Sequence, residues 1–271
     1  MKETEATRAG DIALVGRPNV GKSTLLNQLI GEKLSIVTPR AQTTREAVTG
    51  ILTTETAQLI FVDTPGLLDP SYTLQRAMLE TALDVIRDAD LTLLLLDATR
   101  PDELPGGEAL AALKAKGSGL YVAINKLDVA PAEHVAQLRA WSEAELGREP
   151  LEIAASTGEG TKKILEVLTA ALPESPFYYP ADDLAVQPVR FFVAEMIRET
   201  IFEEYEEEVP YASVAVPAVA GARCRYSASR TRPASGPCGV PRPGSSTSGA
   251  SRSRTPPTCE RSCIRRCGTG F

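Results

Sequence analysis

The sequence predicts an α/β fold, a mainly parallel central sheet flanked by helices. Three observations predict it. Short, wholly apolar runs such as Leu91–Leu96 and Leu120–Ile124 are what strands covered on both faces look like. These runs alternate with segments of helical period. Polar or glycine-bearing motifs stand at the ends of the runs, where ligands bind in open parallel sheets.

In chain order, Ile12–Val15 reads as the first strand and is followed by Gly16-Arg17-Pro18-Asn19-Val20-Gly21-Lys22-Ser23. Leu25, Leu26, Leu29 and Ile30 then repeat at helical spacing. Strand, G-x-x-x-x-G-K-S loop and helix together form a phosphate-binding unit. Glycine lets successive N–H groups turn inward, and the helix adds its positive end. Lys22 is expected to reach the β and γ phosphates, and the Ser23 hydroxyl to ligate Mg²⁺. Ser35–Arg45 is polar and reads as a loop. Runs at 47–53 and 57–62, parted by Thr54-Glu55-Thr56, predict a hairpin. Residues 73–88 carry Leu74, Ala77, Met78, Thr81, Ala82 and Val85 at helical spacing, and 107–116 also reads as a helix. A helix over 132–145, a strand over 150–154 and a helix over 160–171 complete the alternation.

Asp63-Thr64-Pro65-Gly66 ends the run at 57–62. A carboxylate there can hold Mg²⁺ through water, and the Gly66 N–H can face a γ-phosphate. Asn125-Lys126-Leu127-Asp128 ends the run at 120–124. A carboxylate such as Asp128 can accept two N–H bonds from the edge of guanine, a donor pair adenine lacks. Asn125 is expected to tie this loop to the phosphate loop, with the Lys126 stem along the base. The three motifs in this order predict a GTPase.

With Gln42-Thr43-Thr44-Arg45, these motifs resemble the translation-factor-related GTPases and, within that class, the Era family of ribosome-assembly GTPases. Gln187–Glu199 and Glu207–Tyr211 are similar to the opening of that family's RNA-binding KH domain. The resemblance implies GTP and GDP as ligands, Mg²⁺, hydrolysis of GTP to GDP, and a switch role in 16S rRNA processing and 30S subunit assembly. It also implies a monomer, cytoplasmic or peripheral on the inner membrane. Carried over by position, Thr44 is the switch threonine that ligates Mg²⁺, with Thr43 as its rival. Leu67 stands where many GTPases carry a water-positioning Gln, so hydrolysis rests on Lys22, Mg²⁺ and backbone groups, with or without a second cation. Asn19 resembles a K⁺-ligating Asn, and a turn-stabilising Asn is the other reading. The Ala155 N–H is expected at the guanine O6. Ala154, where the family carries Ser, lacks a bracing hydroxyl.

Charge and cysteine divide the chain. From residue 217 onward there are ten arginines and one acid, a charge of +9, so residues 1–216 carry −15 of the overall −6. All five cysteines, Cys224, Cys238, Cys259, Cys263 and Cys267, lie in that last stretch, without a paired C-x-x-C framework for zinc. The domain reading is therefore a GTPase domain over 8–173, a linker and the first part of a KH-like α+β domain over 174–216, and a tail over 217–271. The tail lacks alternating strands and a KH-type loop among them, and its Arg, Ser, Pro and Gly content predicts disorder. A frameshift in a GC-rich gene explains that composition, and a genuine basic RNA-binding arm is the rival. The corresponding alternative function is a guanine-nucleotide switch without specific RNA binding. Over 189–202 the apolar stripe is Val189, Phe192, Val193, Met196, Ile197 and Ile201. No run of 18 apolar residues predicts a membrane span, and no apolar signal segment opens the sequence. His134, Trp141, Lys162, Lys163 and the acidic run Glu203–Glu208 are expected to be helix surface or packing.

Overall fold

The structure is a computed structural model that describes residues 7–37, 47–68, 70–205, 213–218 and 221–226, the last two as backbone strands. Its elements are β1 (Arg8–Gly16), α1 (Lys22–Ile30), β2 (Val48–Thr53), β3 (Ala57–Asp63), α2 (Thr73–Asp88), β4 (Leu91–Asp97), α3 (Gly107–Ala115), β5 (Leu120–Asn125), α4 (Ala132–Trp141), β6 (Leu151–Glu152), α5 (Thr161–Ala171), α6 (Val189–Glu204), β7 (Ser213–Ala218) and β8 (Gly221–Tyr226). The six-stranded sheet has the order β2-β3-β1-β4-β5-β6. Within this sheet only the β2–β3 hairpin is antiparallel.

Alternation along the strands splits the core into two layers. Ile12, Leu14, Leu59, Phe61, Leu93 and Leu95 face α1 and α5, where Leu25, Leu26, Ile164 and Leu168 are buried with them. Ala13, Val15, Leu94, Leu96, Val122 and Ile124 face α2, α3 and α4. Both faces are covered over Ile12–Val15 of β1, Leu93–Leu96 of β4 and Leu120–Ile124 of β5, which read as apolar runs. The parallel strands β1, β3, β4 and β5 end at Gly16, Asp63, Asp97 and Asn125, one edge of the sheet.

Several boundaries differ from expectation. The helix predicted over 132–145 is α-helical to Trp141 and then widens into a π-turn, Ser142–Leu146, closed by Gly147 at φ 63°. The strand predicted over 150–154 pairs only at Leu151–Glu152, although Ile153 still donates to the Ile124 carbonyl at 2.9 Å. Strand pairing also extends past residue 217, where the sequence predicts none. β7 runs to Ala218 and pairs antiparallel with β8, so strand structure continues past it.

The linker after α5 is pinned rather than loose. Gln58, wholly buried, accepts from the Tyr178 and Tyr179 N–H groups at 2.8 and 3.0 Å and donates to the Tyr179 carbonyl at 2.9 Å. Further on, Ile51 N–H donates to the Leu184 carbonyl at 2.8 Å, and Gly50 bridges Ala185. The linker thereby covers the open edge of β2. In α6 the buried residues are Arg198, Glu199 and Phe202. The predicted apolar stripe is split: Val189, Met196 and Val193 are 79%, 63% and 40% exposed, while Phe192, Ile197 and Ile201 are half-buried. Among the described residues no helix is long and apolar enough to cross a membrane.

Candidate functional site

The phosphate loop leaves β1 at Gly16 and enters α1 at Gly21, whose φ of +100° lies in the left-handed region. A Cβ at Gly21 would collide with the Asn125 side chain, so the position needs glycine for both conformation and space. Asn19 also takes a left-handed φ of 62°, a conformation Asn tolerates. No side chain caps α1, whose first N–H groups are available to an anion. Lys22 is only 6% exposed, and its ammonium donates to the Gly16 and Arg17 carbonyls at 3.2 and 3.1 Å. Burial pulls its pKa down to about 8, against the opposing pull of the Asp63 carboxylate. The loop thus holds a desolvated cation folded against its own backbone.

The Ser23 hydroxyl donates to Asp63 Oδ2 at 2.6 Å. An alcohol oxygen and a carboxylate this close form a hard oxygen donor set, which suits Mg²⁺. Thr64 serves the fold: its hydroxyl donates to the Leu14 carbonyl at 2.8 Å and locks the end of β3 to β1. Pro65 is buried, and Gly66 presses on Pro18, where a Cβ would fall 2.6–2.8 Å from the ring atoms. The side chain of Leu67 is 1% exposed and packs in the layer with Val15 and Leu79, while its N–H donates to the Gly16 carbonyl at 2.9 Å. Its backbone, not its side chain, therefore meets the phosphate loop.

Asn125 joins three loops. Its amide donates to the Val20 carbonyl at 2.7 Å, and its Oδ1 accepts from the Ala155 N–H at 2.9 Å. In this arrangement the Ala155 N–H is turned to Asn125. Lys126, at φ 69°, reaches back to Asp97 Oδ2 at 2.6 Å, and Asp97 also accepts from the Thr99 N–H and hydroxyl. The Leu127 N–H donates to the Ile153 carbonyl at 3.3 Å, and exposed Asp128 accepts from the Ser156 hydroxyl at 3.0 Å.

Gly16–Ser23, Asp63–Gly66, Asn125–Asp128 and Ala155 therefore converge at one edge of the sheet. Thr43 and Thr44 lie outside the described residues, as do Cys238, Cys259, Cys263 and Cys267. Two residues were missed from sequence. Asp97 closes an apolar strand just as Asp63 does, a signal that could have found it. Ser156 carries no local signal, because its partner is 28 positions away. His134 is half-buried, with Nδ1 3.1 Å from the Ala98 carbonyl, rather than on a solvated face. Lys162 and Lys163 are exposed as expected.

Comparison with known proteins agrees with this arrangement. The family described as 50S ribosome-binding GTPase matches residues 11–126. GTPase Era of Mesorhizobium japonicum is 42% identical over 212 residues, covering 78% of this chain and 68% of that protein. GTPase Era of Geobacter metallireducens is 39% identical, covering 76% and 70%. Among solved structures, an Aquifex aeolicus Era variant bound to GDP and AlF4⁻ is 34% identical with a TM-score of 0.70, covering 79% of this chain and 75% of that one. Era in complex with MgGDPNP and nucleotides 1506–1542 of 16S ribosomal RNA is 33% identical with a TM-score of 0.68 and the same coverage. A phosphate loop, a Ser–Asp oxygen pair and an Asn-Lys-x-Asp loop on one sheet edge, matched by such relatives, show that the chain belongs to the GTPase Era family of GTP-hydrolysing enzymes.

Proposed function

We propose that the chain binds GTP and Mg²⁺ in this crevice and acts as a nucleotide-dependent switch in 16S rRNA processing and 30S subunit assembly. The single observation that carries the nucleotide site is the convergence on Asn125, which bonds the phosphate loop with one amide atom and the 154–156 loop with the other. The loop N–H groups and Lys22 receive the phosphates, with Lys22 exchanging the Gly16 and Arg17 carbonyls for β and γ oxygens. Ser23 and Asp63, with Thr44 or Thr43, would hold Mg²⁺. When bound there, the ion would supply charge neutralisation at the phosphate oxygens. The Gly66 N–H faces the γ-phosphate. The Lys126 stem lies along the base, and Asp128 accepts from its N1 and N2 edge. Leu67 cannot orient a water, so unassisted turnover is slow. Asn19 then either ligates K⁺ or only stabilises the turn. Turnover in KCl against NaCl at equal ionic strength decides this, and equal rates sink the K⁺ role.

For the RNA role, the support is the likeness to an Era solved with 16S RNA nucleotides, together with a retained α6 that packs against β7. The alternative is a nucleotide switch without specific RNA binding. It is favoured by the composition of 217–271. Gly236-Pro237-Cys238-Gly239 does spell the G-x-x-G of a KH loop, which the sequence reading overlooked. It sits among Pro233, Pro241 and Pro243, which break helices, and lies outside the described residues. Measured affinity for an oligonucleotide of the 16S rRNA 3′ end decides between the two readings. Retained GTP turnover with no preference over a scrambled RNA supports the alternative. Translating the gene in its other frames tests the frameshift. Sedimentation with and without inner-membrane vesicles tests the peripheral association and the monomer.

A further inference from the structure

We propose that Ser156 is a specificity-determining positioning residue, whose hydroxyl sets the Asp128 carboxylate for the guanine edge. The inference rests on Asp128 as the base reader. Three bonds stitch the 125–128 loop to the 153–156 loop: Leu127 N–H to the Ile153 carbonyl at 3.3 Å, Ala155 N–H to Asn125 Oδ1 at 2.9 Å, and Ser156 Oγ to Asp128 Oδ2 at 3.0 Å. The first two hold backbone and Asn125. Only the third touches the carboxylate that would meet the base.

That carboxylate needs holding. Its terminal torsion is broad, and Asp128 is exposed. Two parallel N–H bonds from a purine edge require the carboxylate plane to match the base plane. A donor fixed on Oδ2 removes most of the rotation before the ligand arrives, which improves affinity by preorganisation. Each carboxylate oxygen can accept more than one bond, so Oδ2 keeps capacity for the base. Ser156 is itself held by a tight turn. The Thr157 and Gly158 N–H groups both donate to the Ala154 carbonyl, at 3.2 and 2.9 Å, and Ala154 N–H donates to the Glu159 carbonyl at 3.1 Å. Other side chains of this turn do not take its place. Ala154 and Ala155 have no hydroxyl, and the Thr157 hydroxyl is directed to the Ala154 carbonyl at 3.3 Å. The Ser156–Asp128 bond is exposed without ligand. A base laid over it would exclude water and strengthen it.

The test is calorimetric binding of GDP and of inosine diphosphate, whose base lacks the 2-amino group, to wild type, Ser156→Ala, Ser156→Thr and Asp128→Ala. Ser156→Ala is expected to weaken GDP roughly three- to tenfold, the range for one ordinary hydrogen bond, since both partners are exposed. Inosine diphosphate should weaken less, so the ratio of the two affinities shrinks. Ser156→Thr, which keeps the hydroxyl, should restore the ratio. Equal weakening of both nucleotides would assign Ser156 to loop stability alone and overturn the proposal, as would no change. If Asp128→Ala binds GDP as tightly as wild type, the base-reading assignment itself fails. A weak Asp128→Ala beside an unaffected Ser156→Ala refutes only the role of Ser156.

Discussion

The Asn125 side-chain amide donates to the Val20 carbonyl at 2.7 Å, a bond that spans 105 residues of sequence and closes the nucleotide crevice from within. Asn125 is 2% exposed, so its two partners have no water to turn to. Asn125→Ala leaves the Val20 carbonyl and the Ala155 N–H unsatisfied, which costs about 2–4 kcal/mol for two buried groups. The expected outcome is a lower melting temperature without ligand and a much smaller upward shift on adding GDP. Thermal melts with and without the nucleotide measure both.

Leu67 shows the opposite relation between sequence position and role. Its side chain is in the core beside Val15 and Leu79, while only its N–H meets the phosphate loop. Restoring a Gln there therefore buries an amide instead of adding a water-positioning group. Leu67→Gln is expected to destabilise by about 2–3 kcal/mol without raising turnover. Urea unfolding and phosphate release read the two effects. Faster hydrolysis would mean the side chain can swing to the γ-phosphate.

Lys22 is a buried cation whose pKa burial pulls down to about 8, with Asp63 pulling the other way. Such a charge is retained for its ligand at the expense of the free protein. Lys22→Met keeps the length and removes the charge. The nucleotide-free variant is expected to melt higher, by about 2–4 °C for each kcal/mol gained in a domain of this size. It should lose nearly all GTP turnover. A melting point below wild type would show that the bonds to Gly16 and Arg17 outweigh the desolvation.

Asp11 offers a pH test remote from the site. Desolvation, and then the nearby Asp90 carboxylate, raise its pKa above the ordinary carboxylate value of 3.8. A raised carboxyl pKa means the folded state binds more protons than the unfolded state just above pH 3.8. Stability contributed there falls as pH rises through that window, and at neutral pH the whole penalty is present. Asp11→Asn should therefore stabilise at pH 7, by only a few tenths of a kcal/mol because the site is half-exposed. The gain should shrink as pH is lowered toward 4, followed by urea midpoints at each pH.

The legible parts of this molecule are those whose signal is local. Gly16–Ser23 is contiguous, and Asp63 and Asn125 each end an apolar strand, so spacing alone found them. The π-turn at Ser142–Leu146 could not be read, since it changes the backbone hydrogen bonds and leaves the apolar spacing intact. Ser156 and Asp97 act on partners 28 and 29 positions away. On α6 the spacing identified an apolar stripe but not what it faces. The buried side carries Arg198 and Glu199, because their partners are polar groups of a distant loop and of the helix itself.

Glu199 makes the last prediction. Its carboxylate, 10% exposed, accepts from Lys33 Nζ at 2.7 Å and from the Val37 N–H at 3.3 Å, holding α6 to the loop after α1. Lys33 is 62% exposed, so by itself the pair looks like a surface ion pair worth little. The asymmetry changes the expectation. Lys33→Ala leaves a buried carboxylate with one N–H donor, and an uncompensated buried charge is costly. Lys33→Ala should therefore cost about 1–3 kcal/mol, above the range for exposed pairs. Glu199→Gln keeps an acceptor for the Val37 N–H and removes the charge. Added to Lys33→Ala, it should recover part of the loss, so the double variant is more stable than Lys33→Ala alone. Hydrogen exchange of the α6 amides, beside urea midpoints of the four proteins, locates the effect in that helix. A double variant that sums the two single losses would show that the carboxylate is solvated and that α6 is held by its apolar contacts, Phe191 and Phe192 among them.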